Sequence, residues 1–175
     1  MNEVLKAIEE RRAIRKFKPD MVPQDKIDTI IRAGLYAPSG MGKQSPIIVA
    51  ITNKAIRDRL SEMNRKIAGR PEGFDPFYGG PVVLAVLADK SIVTHVHDGS
   101  LVIGNMMLAA HSLGLGSIWI HRAQQEFECE EGIGILKALG IEGDYEGIGH
   151  CVLGYIDGEV PKAAPRKEGR VFYAR

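Results

Sequence analysis

Val82-Val83-Leu84-Ala85-Val86-Leu87-Ala88 is an unbroken apolar run, preceded by Gly79-Gly80-Pro81 and closed by Asp89-Lys90. A strand with one wet face alternates apolar and polar residues, so a run without alternation predicts a strand buried on both faces, in the middle of a sheet. It is far shorter than the roughly 20 residues a bilayer span needs.

Upstream, Arg70 to Gly80 is a Gly, Pro and aromatic loop of a length that in compact domains often serves function. Before it, Asn53 is placed to cap a helix with Ile56, Leu60, Met63 and Ile67 on one stripe and Gly69 just past its end. Ile47 to Ile51 is β-branched and strand-like, and follows the turn chemistry of Pro38-Ser39-Gly40-Met41-Gly42-Lys43-Gln44-Ser45-Pro46. Pro23 suits a first helical turn, with Ile27, Ile30, Ile31, Gly34 and Leu35 keeping the helical period until Pro38. Asn2 caps a first helix with Val4, Leu5 and Ile8 as its apolar face and the basic Arg11-Arg12-Ala13-Ile14-Arg15-Lys16 at its end.

Downstream, Asp98 to Leu113 is apolar nearly all round, and Gly99, Ser100, Gly104, Ala109 and Ala110 would let another backbone approach; such a helix is buried, against the core or a partner. Gly114-Leu115-Gly116 ends it, Ser117 to Ile120 is a third strand, Glu126 to Leu139 a further helix and Gly147 to Ile156 a fourth strand. Strands alternating with helices place the chain in the α/β class. Asp157 to Arg175 carries Pro161, Pro165 and several cations without helical period, and reads as an extended arm.

Composition bounds the function. At 175 residues the chain is one domain long. Lys plus Arg number 23 against 22 Asp plus Glu, so the overall field at +1 favours neither nucleic acid nor a membrane surface, and an anion site must be local. Met1 to Arg12 is interrupted by Glu3, Lys6, Glu9 and Glu10 and lacks the continuous apolar stretch expected of a signal peptide. Cys129 and Cys151 form neither a disulfide framework nor a metal-ligand pair by spacing, so the expected location is the reducing cytoplasm.

Familiar motifs fail in detail. Gly40-Met41-Gly42-Lys43 has Ala37 and Gln44 where a nucleotide-triphosphate loop needs Gly and Ser or Thr, and it follows a helix rather than a strand. Gly114-Leu115-Gly116 puts Trp119 at the third glycine of a dinucleotide fingerprint. His95-Val96-His97 would point both imidazoles one way if extended, but no later ligand cluster completes a metal site, so the reading is a polar helix entry with Asp98 near the N-cap, and no metal is expected. The chain lacks the Gly-x-Ser-x-Gly elbow of hydrolases. What stands out is two basic clusters, Arg11, Arg12, Arg15 and Lys16 near one end and Arg166, Lys167 and Arg170 near the other. Guanidinium groups gathered in this way suit phosphate recognition, although a charge run alone is more commonly a solvated face.

Four stretches occur in a fixed order: Arg11 to Phe17, Ala37 to Gly40 with Gln44-Ser45-Pro46, Asn105 to Ser117, and Gly149 to Tyr155. Together they resemble the FMN-dependent nitroreductase family, from Val4 to about Phe172. The resemblance implies an α+β fold with a mixed, mainly antiparallel central sheet flanked by helices. It further implies that residues 1–175 form a single FMN-binding domain, paired as an intertwined homodimer with two flavins at its interface and an extended C-terminal arm. By position, Arg11 and Arg12, with Ala13, would meet the FMN phosphate, and Arg166 and Lys167 would complete that pocket. Arg15 would lie by flavin N1 and O2, where a cation stabilises the charge of the reduced ring. Pro38, Ser39, Gly40 and Gln44 would lie along the flavin of the other subunit, and Ile118, Trp119, Ile120 and His121 would pass near flavin N5.

Three positions depart from the family pattern. Ala13 stands where many members have Ser, removing one phosphate hydrogen bond, and His121 stands where larger members carry an acid. Asp89 to His97 is too short for the helical hairpin that covers substrate in larger members, leaving Arg70 to Gly80 as a partial lid whose Phe74, Phe77 and Tyr78 stack on an aromatic substrate or pack over the core. The implied activity is ping-pong: NADH or NADPH delivers hydride to flavin N5, then a small aromatic acceptor, nitroaromatic or quinone, is reduced at the same face. The alternatives are a flavin-binding carrier or sensor without turnover and a basic-patch nucleic-acid binder.

Overall fold

The computed structural model describes all of residues 1–175. Its four strands, β1 (Pro46–Ile51), β2 (Val82–Asp89), β3 (Gly116–Ile120) and β4 (Tyr145–Gly154), form one sheet in the order β1-β2-β4-β3. The unbroken apolar run Val82 to Ala88 lies in β2, paired with β1 on one side and β4 on the other. Its alternate residues feed two cores. Val83, Ala85 and Leu87 join the layer of α3 (Lys54–Ile67), α5 (Ala123–Glu128) and α6 (Glu130–Ala138). Val82, Leu84, Val86 and Ala88 join the layer of α2 (Gln24–Leu35) and α4 (His95–Ser112). Sixteen buried residues lie in the first core and fifteen in the second, so both faces of the sheet are covered and the absence of a polar alternation is explained.

All strand pairs are antiparallel, which places the chain among α+β arrangements rather than parallel α/β sheets. The one parallel pairing is an isolated bridge between Ala13 and Ser117. The pairing of β2 with β4 slips between Val86 and Leu87, where Gly149 and Gly147 oppose them and Ile148 is the extra residue.

Several local expectations are corrected. The predicted helix from Glu126 to Leu139 is two helices, because Cys129 is extended at φ −81 and ψ 160. A side chain on Gly132 would lie 1.9 Å from the Glu126 carbonyl oxygen, so the turn between them is tight enough to require glycine. His95 and His97 stand in the first turn of α4, the helix entry expected of them; His95 Nδ1 meets the Ile92 carbonyl at 2.8 Å and Nε2 meets Glu146 at 3.2 Å. Pro23 precedes its helix as the N-cap. Asn2 caps α1 (Glu3–Glu10) as expected, accepting from the Leu5 N–H at 2.9 Å, but Val4, Leu5 and Ile8 are all exposed. Phe77 is fully buried in the core, edge-on to His150, and cannot stack on a substrate.

Candidate functional site

The basic segment after α1 leaves the helix and runs extended beside β3. The Ile14 N–H donates to the Ser117 carbonyl at 3.0 Å, and Ile14 and Phe17 are buried. Gly116 makes this approach possible, since a Cβ there would meet Ile14 at 2.9 Å. Ile14 goes into the core and its neighbour Arg15 faces outward, as the alternation of an extended chain requires, while Arg11 and Arg12 are half-buried.

The two chain ends meet here. Phe17 bridges to Ile156, the Lys18 N–H donates to the Tyr155 carbonyl at 2.9 Å, and Lys16 pairs with Asp157 at 2.8 Å. From this anchor the arm runs back past the end of α1, so that Arg11, Arg12 and Ala13 share a cavity of about 770 Å³ with Lys162, Pro165 and Arg166. Lys167 does not line it, although its neighbour Arg166 does. Arg12 Nη1 donates to the carbonyls of Glu9 at 2.5 Å and Arg11 at 2.8 Å, which fixes the guanidinium. Arg12 Nε and Arg11 Nη1 are buried without a partner. Buried N–H groups of a cation that have no acceptor are costly unless a ligand supplies one, and guanidiniums from both ends of the chain suit a phosphate. The residues present therefore fit a bound phosphate monoester.

A second cavity, of about 240 Å³, lies further along the same segment. Arg15 lines it together with Ile118, Trp119, Ile120 and His121 from the end of β3, and Phe74 and Tyr78 from the 70–80 loop. Asn64 in α3, almost wholly buried, donates its side-chain N–H to the His121 carbonyl at 2.8 Å and holds the end of β3 in place. The loop itself is fastened by Asp75, which accepts from Arg57 at 2.5 Å, Ser61 at 2.6 Å, and the N–H groups of Phe77 at 2.9 Å and Gly79 at 2.7 Å. Burial works to raise the Asp75 carboxyl, but the donors from Arg57, Ser61 and Gly79 outweigh it and hold the group below the usual range.

The loop carrying Pro38, Ser39, Gly40 and Gln44 lines neither cavity. It is held instead at the start of α4 by Asp98, which accepts from the Gly40 N–H at 3.0 Å, Ser45 Oγ at 3.1 Å and Thr94 Oγ1 at 3.0 Å; Ser39 Oγ accepts from the Gln44 N–H at 3.0 Å. Burial again opposes ionisation, and these hydrogen bonds lower the carboxyl all the same. Asp98 thus tethers a remote loop rather than capping its own helix. The sequence carries no local sign of this, nor of Arg57, Asp75 or Asn64, because each works through a partner distant along the chain. The same holds for Arg70 and Arg122, which line the second cavity and lie outside both basic clusters. No group of three or more His, Cys, Asp and Glu side chains is gathered for a metal.

Residues 8–155 match the sequence model of the nitroreductase family. The chain belongs to the nitroreductase family. A nitroreductase from Bacteroides fragilis, solved with bound FMN, superposes with a TM-score of 0.92 over 100% of both chains at 28% identity. One from Desulfitobacterium hafniense, also with bound FMN, gives 0.89 over 100% of both chains at 26% identity. The Vibrio harveyi NADPH-flavin oxidoreductase is 31% identical over 130 residues, 69% of this chain and 54% of that protein. The chain spans about half to three fifths of the length of the first curated relatives it matches. As a nitroreductase-family chain it keeps the sheet and both helical layers, and no helix in it is long and apolar enough to cross a membrane.

Proposed function

We propose that this chain is an FMN-dependent oxidoreductase that uses NADH or NADPH to reduce nitroaromatic or quinone acceptors, working as a homodimer with two flavin sites. The observation that carries the reading is the meeting of both basic clusters on one cavity with unpartnered, buried guanidinium nitrogens. When bound, FMN supplies the two-electron chemistry, taking hydride from NAD(P)H and handing the electron pair to the acceptor, so that NAD(P)H, a proton and a quinone yield NAD(P)⁺ and a hydroquinone.

The chain's own residues hold and tune. Arg11, Arg12 and Arg166 neutralise the phosphate, with Lys162 beside them and Lys167 next along the arm. Ala13 offers no hydroxyl, and the fixed, partly unsatisfied guanidinium of Arg12 takes over that hydrogen bond. Arg15 places a cation beside the end of β3, where it favours the reduced, more negative ring. The 38–44 loop, rigidly tied to Asp98 and lining neither cavity of its own chain, serves the flavin of a second subunit. The exposed apolar face of α1 (Val4, Leu5 and Ile8) and Leu101 on α4 suit an interface of that kind.

Binding of FMN against riboflavin tests the phosphate assignment. Stripped protein should bind FMN at least about a hundredfold more tightly than riboflavin, since two or three charge-assisted hydrogen bonds depend on the phosphate. Equal affinities would refute the assignment.

A further inference from the structure

The second cavity holds more positive charge than the flavin reading uses. Three guanidiniums line it, Arg15, Arg70 and Arg122, and no carboxylate does. None of the three forms an ion pair within the chain. Of the two carboxylates in the loop, Asp75 is spent on Arg57 and Ser61, and Glu72 neither lines the cavity nor pairs with Arg70. The aromatic walls are the side chains of Phe74 and Tyr78 in the loop, which meet edge to face at 6.1 Å. Arg70 stacks over the Phe74 ring at 5.5 Å, which orients the guanidinium and leaves its edge N–H groups for a ligand.

The backbone at this cavity is also held in uncommon shapes. Tyr78 at φ 53 and Arg122 at φ 82 are left-handed without being glycine, a conformation that persists only where the surroundings enforce it and that gathers at functional sites. Arg122 follows His121, whose carbonyl is fixed by Asn64, so the turn that presents its side chain is anchored from the core.

We propose that this cavity takes the electron acceptor, and that Arg70 and Arg122 select acceptors in which a planar aromatic ring carries an anionic group such as a carboxylate. The inference rests on the oxidoreductase reading above and names its substrate class. Arg15 stays with the flavin, the aromatic side chains stack on the ring, and the two further guanidiniums receive the anion.

The test compares 4-nitrobenzoate with 4-nitrobenzamide, which share ring and nitro group and differ in charge, on FMN-loaded protein with NADH or NADPH. Because the amide withdraws electrons more strongly than the carboxylate, intrinsic reactivity favours the amide, and a preference for the benzoate must come from binding. The ratio of kcat/KM should favour 4-nitrobenzoate by about tenfold or more at low salt and shrink as salt rises. R70Q and R122Q should each narrow that ratio severalfold, while R70K and R122K keep part of it. Calorimetric titration of the same FMN-loaded protein with benzoate and benzamide gives a readout without turnover, and benzoate should bind more tightly. Equal kcat/KM for the two nitro compounds with equal affinity for benzoate and benzamide would overturn the selectivity. So would R70Q and R122Q losing activity on both compounds in equal proportion. A protein that holds no FMN would overturn the oxidoreductase reading itself, a result distinct from either.

Discussion

Arg11 and Arg12 carry the phosphate assignment, because one guanidinium nitrogen of each is buried and unpartnered within the chain. Replacing either by Ala should weaken FMN binding by about tenfold to a hundredfold, the worth of one charge-assisted hydrogen bond, with little effect on folding; fluorescence titration of stripped protein measures it. Arg15→Ala should instead leave FMN content close to normal and lower the midpoint potential by about 30 mV or more, since its proposed part is to stabilise the reduced ring. Spectroelectrochemistry decides this, and an unchanged potential would remove Arg15 from that part. Asp75→Asn weakens four hydrogen bonds that fasten the 70–80 loop and leaves the largely buried Arg57 short of its partner. A loss of about 2–3 kcal/mol in urea unfolding is expected at neutral pH, with faster proteolysis within the loop. Because the folded Asp75 carboxyl is held below its unfolded value near about 3.9, its stabilisation is complete above that pH and fades as pH falls through the lower folded value. The gap between wild type and variant should therefore close in acid. The arginine clusters were legible in the sequence because a charge run is visible residue by residue. Asp75, Asp98 and Asn64 were not, since each is an ordinary polar residue until the fold supplies its partner.

Elements were legible where a period was long and their ends where a cap was chemical. Asn53 accepts from the Ile56 N–H at 3.2 Å at the start of α3, as its position and side chain require, and β2 lies mid-sheet as its unbroken apolar run demands. The break at Cys129 carries no local mark, because Glu126 to Glu131 holds neither Pro nor Gly, and what forces the break is the close approach of Gly132 to the backbone of Glu126. Strand direction was equally hidden, since alternation of strand and helix does not distinguish parallel from antiparallel pairing. Packing of elements gives a sharp test at Gly147 on β4, where a Cβ would lie 2.2 Å from the Ala123 carbonyl oxygen and 2.4 Å from its carbon. Neither backbone can yield cheaply, so Gly147→Ala should cost about 3 kcal/mol or more in chemical denaturation. Gly104 on α4 is the counterpart, exposed and with no atom within 4 Å of an added Cβ. Gly104→Ala should be neutral, or stabilise the chain by up to about 1 kcal/mol through helix propensity. If sedimentation shows the variant losing self-association while keeping its helicity, Gly104 belongs to the proposed subunit interface.

At the scale of the whole molecule, the near-neutral charge balance conceals cations gathered at both ends of the chain and brought together by the pairing of residues 16–18 with 155–157. That convergence could not be read from composition; it was implied by the resemblance of four ordered motifs, as is the proposed dimer, which no local pattern in the sequence announces. Removing the arm after Asp157 would strip Lys162 and Arg166 from the phosphate cavity while leaving the sheet and both cores untouched. The shortened protein should keep its unfolding midpoint within a few degrees and lose FMN affinity by at least about tenfold. The most direct test of the central claim is the visible absorption spectrum of the purified protein, followed anaerobically during titration with NADH and NADPH. The account predicts a yellow protein, or one that becomes yellow with about one equivalent of FMN per chain, whose flavin band bleaches with a stoichiometric amount of reduced nicotinamide and returns on addition of a quinone. A colourless protein that cannot be loaded with FMN, or a bound flavin that neither NADH nor NADPH reduces, would contradict it.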